Sequence, residues 1–134
     1  MTTDTAHIGA RIDRPAADVY AYIANPAHLP EWAHGLGGEA TEEDGEWFVE
    51  TPGGRIKVVL APANYYGILD HDVTYPSGET FSNPVRVVPY GGASEIVFSV
   101  RRNAGTSDAD FERDTRLVAA DLARLKEILE SRIA

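Results

Sequence analysis

The chain has 134 residues, 43% of them apolar and 25% charged, with 12 Lys and Arg against 21 Asp and Glu for a net charge of −9. That length and balance suit one folded domain over residues 1–134 and leave no room for a disordered or fibrous reading. The acidic excess argues against nucleic acid, which needs a basic stripe to displace phosphate counterions. The lack of any cysteine removes disulfides, thiolate metal sites and cysteine nucleophiles together.

No apolar run approaches the length of a membrane span, so membrane insertion is not expected. Met1-Thr2-Thr3-Asp4-Thr5-Ala6-His7 carries an acid and no apolar stretch, unlike a secretory leader, and a cytoplasmic location is the default. Ile8, Ala10 and Ile12 then alternate with His7, Gly9, Arg11 and Asp13, the period of a strand over 6–13. Pro15 fits the first turn of a short helix carrying Val19, Tyr20 and Ile23. Asn25-Pro26 opens a second with His28, Leu29 and Trp32, which Gly35, Gly37 and Gly38 end.

From residue 39 the pattern becomes short strands between turn signals at Asp44-Gly45, Gly53-Gly54, Pro76-Ser77-Gly78 and Gly91-Gly92, an antiparallel meander of six strands. Two-residue turns pair Glu42 with Trp47 and Ala40 with Val49, then Val49 with Val58 and Trp47 with Leu60. One face thereby collects Trp47, Val49, Ile56, Val58 and Leu60. In the later strands Tyr75 faces Glu79, which puts Val73 opposite Phe81, His71 opposite Asn83 and Leu69 opposite Val85. Val85 and Val87 meet Phe98 and Ile96 across the last turn. A slip of one residue would expose this whole set, so burial selects the parity.

Ser107 with Asp110 three residues on forms a capping pattern for a closing helix over 107–133, about 40 Å long at about 1.5 Å per residue. Phe111, Val118, Leu122, Leu125 and Leu129 recur at helical spacing, and Ala119, Ala120 and Ala123 are small enough to approach a sheet. Only this helix is long enough to cover the meander's apolar face, so the sheet must wrap around it. The fold class is α+β, in the helix-grip order of strand, two short helices, six-stranded meander and long C-terminal helix.

The run Ile12-Asp13-Arg14-Pro15-Ala16-Ala17-Asp18-Val19-Tyr20, followed by Asn25-Pro26 and Pro30-Glu31-Trp32, resembles the opening of the START-like (SRPBCC) superfamily, in particular its small bacterial polyketide-cyclase-like members. The resemblance covers nearly the whole chain. It implies a cavity between sheet and long helix, and a lipid, sterol, hormone or polyketide as the class of ligand. The ligand itself is not chosen by fold.

His71 stands out, because alternation in Leu69-Asp70-His71-Asp72-Val73 sets it on the apolar face and turns both aspartates away. With Asn83 it makes either a polar anchor for a ligand carbonyl or hydroxyl, or a buried histidine satisfied by its neighbour. Trp32 and Trp47, with Phe81 and Phe98 on the same face, are candidate apolar walls or plain core. Trp32 lies in the helical insert that borders the cavity mouth in proteins of this look. Tyr66 and Tyr75 are weaker candidates, Tyr66 because its parity disagrees with that of His71.

No metal site is expected, since Asp70-His71-Asp72 lacks further ligands on its face and Pro30 separates His28 from His34. The acids Glu39, Glu42, Glu43, Asp44, Glu46 and Glu50 read as a solvated hairpin edge. Gly-x-Ser-x-Gly elbows and phosphate-cradling glycine loops are missing.

Two readings lead. One is a carrier or sensor for a small, largely hydrophobic molecule, held by His71 and Asn83 and lined by Trp32, Trp47, Phe81 and Phe98. The other is a cofactor-free cyclase or isomerase acting on a carbonyl substrate with His71 as proton shuttle. A third, an interaction protein with a self-filled interior, separates from both by cavity volume, with about 300 Å³ as the dividing size. The partner expected is a small molecule, with a homodimer left open, and no cofactor is called for.

Overall fold

The computed structural model describes residues 5–34 and 38–131. Strand β1 (Thr5–Ile12) leads into helix α1 (Ala16–Ile23), a 3₁₀ turn (Pro26–His28) and helix α2 (Leu29–Trp32). Strands β2 (Ala40–Glu43), β3 (Glu46–Thr51), β4 (Gly54–Leu60), β5 (His71–Thr74), β6 (Thr80–Asn83), β7 (Val85–Tyr90) and β8 (Ala93–Arg101) follow, and helix α3 (Asp108–Ser131) closes the chain. Pro15 sits just ahead of α1 rather than inside it. The Asn25 side chain caps the 3₁₀ turn by accepting from Ala27 N at 3.1 Å. Of the glycines expected to end α2, Gly35 and Gly37 lie outside the described residues.

Every strand pairing is antiparallel. The order is β2-β3-β4-β5-β6 in one sheet and β1-β8-β7 in a second. The expected six-strand meander therefore has seven segments, because one predicted strand is cut in two at Pro84. Proline has no N–H for the ladder, and the chain passes from one sheet to the other there. Continuity is kept by Leu69 N donating to Val85 O and Val87 N to Gly67 O, at 2.8 and 2.9 Å. The two sheets thus form one bent surface, and its concave side receives α3.

The register matches expectation in β2–β3 and throughout β5–β8, including His71 opposite Asn83 and Val85 opposite Phe98. Between β3 and β4 it differs by two residues: Val49 faces Ile56 and Trp47 faces Val58. The turn there is Pro52-Gly53, with Thr51 paired to Gly54. A shift of two preserves which face each side chain occupies, so Val49, Ile56 and Val58 are buried as expected.

Ser107 Oγ accepts from Asp110 N at 3.1 Å and starts α3. Phe111, Leu122, Leu125 and Leu129 are its buried stripe. Ala119, Ala120 and Ala123 are exposed instead of facing the sheet, since at about 3.6 residues per turn they fall about a quarter-turn or more from the middle of that stripe. The C-terminal half of α3 is tied to β1 and its exit: Lys126 Nζ donates to Arg11 O at 2.6 Å, Asp13 N to Glu130 Oε2 at 2.7 Å, and Arg14 Nη1 to Leu129 O at 3.0 Å. Beneath that half lies the core of Ile12, Val19, Ile96, Leu122 and Leu125. No helix among the described residues is long and apolar enough to cross a membrane.

Candidate functional site

The N-terminal half of α3 has no such ties to β1, and a cavity of about 360 Å³ lies between it and the sheet. Its sheet wall carries His71, Val73, Phe81, Asn83, Phe98 and Val100, and its helical wall Trp32 of α2 with Leu117 and Val118 of α3. Strand alternation explains the sheet wall: residues 71 and 73 of β5 and 81 and 83 of β6 face it from one sheet, and 98 and 100 of β8 from the other. Tyr75 lines the cavity as well, its ring edge-on to Phe81 with centroids 5.6 Å apart.

His71 opens β5 and Asn83 ends β6 as a directly opposed pair. His71 Nδ1 lies 3.3 Å from the Leu69 carbonyl oxygen, which can only accept, so Nδ1 carries the proton. Nε2 is then a lone-pair acceptor, and the Asn83 amide nitrogen approaches it at 3.4 Å. The Phe98 ring stands nearly perpendicular to the imidazole at 5.9 Å. Burial pushes the His71 pKa below its usual 6.5, against the smaller opposing influences of the Leu69 carbonyl, Asp70 and Asp72. The imidazole is therefore neutral at neutral pH.

The flanking aspartates work on the other face of the sheet. Asp70 takes a bidentate pair of hydrogen bonds from Arg86, at 2.9 and 2.8 Å, and a third from Val85 N. Asp72 accepts from Ser82 Oγ at 2.6 Å. Arg86 holds the Asp70 carboxyl below the ordinary carboxylate range. Among the described residues no three His, Cys, Asp or Glu side chains gather as metal ligands. His28 stacks on Tyr22 at 4.1 Å and contacts its carbonyl, while His7 bonds Ser99 Oγ at 2.8 Å.

Five of the six proposed lining residues, Trp32, His71, Phe81, Asn83 and Phe98, come together around this cavity. Trp47 does not line it: β3 lies two strands from β5, and the Trp47 ring is half-buried opposite Val58. Tyr66 is exposed. The acidic hairpin is a charged surface crossed by Arg55, which pairs with Glu43 and Glu50, and by Lys57, which pairs with Glu46.

The sequence matches the family described as "Polyketide cyclase / dehydrase and lipid transport" over residues 5–130. The chain belongs to that family. Among curated proteins none is similar enough in sequence to match. Solved structures show the same helix-grip, Bet v 1-like fold at low identity. DynU16, from the dynemicin biosynthetic locus, superposes with a TM-score of 0.74 at 12% identity, over 97% of this chain but 48% of its own length. This chain thus spans about half of that protein. XoxI from Bacillus cereus gives 0.74 at 13% identity, covering 96% and 97% of the two chains. Ara h 8.0201 gives 0.67 at 12%, covering 96% and 98%.

In this polyketide cyclase and lipid transport family member, the side of the cavity that sequence reasoning missed belongs to α3. Asp114, Leu117, Val118 and Asp121 line it at i, i+3, i+4 and i+7, one face of a helix. The spacing is present in the sequence, but of these four only Val118 belongs to the apolar stripe; the two aspartates read as solvent-facing. Asp121 is nearly buried and joined to Arg124 at 2.9 Å, and the same guanidinium holds the Trp32 carbonyl at 3.0 Å. Arg124 thus fixes α2, and with it Trp32, against α3.

Proposed function

We propose that the protein binds a small, largely hydrophobic molecule in the cavity between the sheet and the N-terminal half of α3, as a carrier or sensor. The observation that carries this reading is the cavity itself, which at about 360 Å³ reaches the size range of small-molecule sites. Its wall is mainly aliphatic and aromatic, and His71 and Asn83 supply a neutral polar pair on the sheet side. Burial of apolar ligand surface provides the affinity, and the pair orients a carbonyl or hydroxyl. The family's lipid transport description and its fold support the same reading.

A second reading, a cofactor-free cyclase or isomerase, draws on the state of His71. A neutral imidazole in the cavity wall can take a proton on Nε2 from carbon or oxygen next to a carbonyl once a substrate displaces the Asn83 amide from that lone pair. Native mass spectrometry on gently purified protein, followed by a thermal-shift screen of apolar carbonyl compounds and alcohols, tests the first reading. We expect hits whose shift shrinks in His71→Asn, a variant that melts normally without ligand. Hits that bind His71→Asn undiminished would remove the polar anchor. Turnover of a carbonyl hit, lost in the same variant, would favour the enzyme.

A further inference from the structure

Behind the main cavity lies a second, much smaller void of about 10 Å³. Its inner wall is Ile23, Val58, Leu60 and Val85. Its remaining wall is Leu29, Trp32 and His71, all three of which also line the main cavity. The two spaces are therefore neighbours, with these three side chains between them. At about 10 Å³ the inner void is at the lower limit for a single water, and its walls, apolar but for His71 and the Trp32 indole, lack the set of polar partners that would hold one.

We propose that Trp32 and Leu29 form a partition that sets the longest apolar chain the site accepts. The proposal rests on the reading of the main cavity as a ligand site. A hydrocarbon tail entering the cavity runs until it meets the indole and the Leu29 side chain. Beyond that point further methylenes stay in the open mouth, where they gain little burial. Removing part of the partition joins the two spaces and lets the tail continue towards Ile23 and Val85.

The partition is positioned by main-chain bonds that its own side chains do not supply. Arg124 Nη1 donates to Trp32 O at 3.0 Å, and Ala33 N donates to Leu29 O at 2.8 Å. Truncating either side chain therefore leaves α2 anchored to α3 while opening the passage. His71, the third shared residue, carries the polar pair and remains in place in both variants.

The test is a homologous series of straight-chain primary alcohols titrated calorimetrically into the full chain. In the wild type, affinity should rise about fourfold per methylene, the factor expected for one buried CH₂, and then flatten at a definite length. In Trp32→Ala and Leu29→Ala the rise should continue to longer alcohols before flattening. Val87→Ala, which trims a core residue lining neither space, should leave the break where it was. Trp32→Phe serves in place of the alanine variant should that one not melt cooperatively.

A break that stays at one length in both partition variants, with alcohols still bound, overturns the partition and leaves the ligand site standing. An equal move in Val87→Ala overturns it too, by showing a general loosening. Failure of every alcohol to bind the wild type would instead overturn the site itself and the partition with it.

Discussion

Ser94 is fully buried in β8, and its hydroxyl has no hydrogen-bond partner among the described residues. A polar group so placed has given up water without recompense. Ser94→Ala should therefore raise the unfolding free energy by about 1 kcal/mol, read as a higher midpoint in urea with unchanged slope. A lower midpoint would mean that the hydroxyl is satisfied in solution. His71 bears on pH in a definite direction. Its folded pKa lies below the usual 6.5, so on acidification the unfolded chain takes up its proton first. Stability then falls as pH drops from about 6.5 through the lowered folded value, and it is level above that window. In His71→Asn this part of the slope should vanish. Chemical denaturation of both proteins at stepped pH measures it, and parallel curves would show that the imidazole protonates as freely in the fold as outside it.

At the scale of elements, the bend between the two sheets depends on Gly67. Its φ is +74°, and a Cβ built there would sit 2.1 Å from the carbonyl oxygen of Val87, the residue whose N–H donates to Gly67 O. Gly67→Ala meets both the left-handed penalty and a backbone clash, and should cost more than about 1 kcal/mol. Gly78→Ala also lies at positive φ, but nothing stands within 4 Å of its added Cβ, so it should cost less. Equal losses in thermal unfolding would show that the close approach to Val87 carries no weight.

The bend was not legible in the sequence, whereas the strands around it were. Alternation fixed which side chains of residues 69–73, 81–85 and 96–98 face inward, because a period of two admits only two answers and burial chooses one. The position of the turn before β4 admitted more, since Pro52-Gly53 and Gly53-Gly54 are both plausible turns. The break at Pro84 turns on a missing donor, a single-residue effect that an apolar pattern does not record.

For the whole molecule, the helix was legible as a cover but its tilt was not. Leu122, Leu125 and Leu129 announce a packed face. Nothing in their spacing says that the other end of α3 leaves a cavity against the sheet, which is why alternation alone keeps Trp47 beside Trp32 among the candidate walls. The distinction comes from tertiary ties: Arg124 to the Trp32 carbonyl, and Lys126 and Glu130 to the end of β1.

The same arrangement makes α3 indispensable to the fold. Val73, Val85 and Ile96 on the concave face, together with Ile12 at the end of β1, belong to one core with Leu122, Leu125 and Leu129. Without the helix, that face would be a large apolar surface on an otherwise acidic molecule. A chain ending at residue 106 should therefore be insoluble or lack a cooperative melt. Leu125→Ala in the full chain should give a graded version of the effect, costing about 2–5 kcal/mol. Soluble material from residues 1–106 with a sharp thermal transition would show that the sheet stands alone, and that the helix encloses the cavity without holding the fold together.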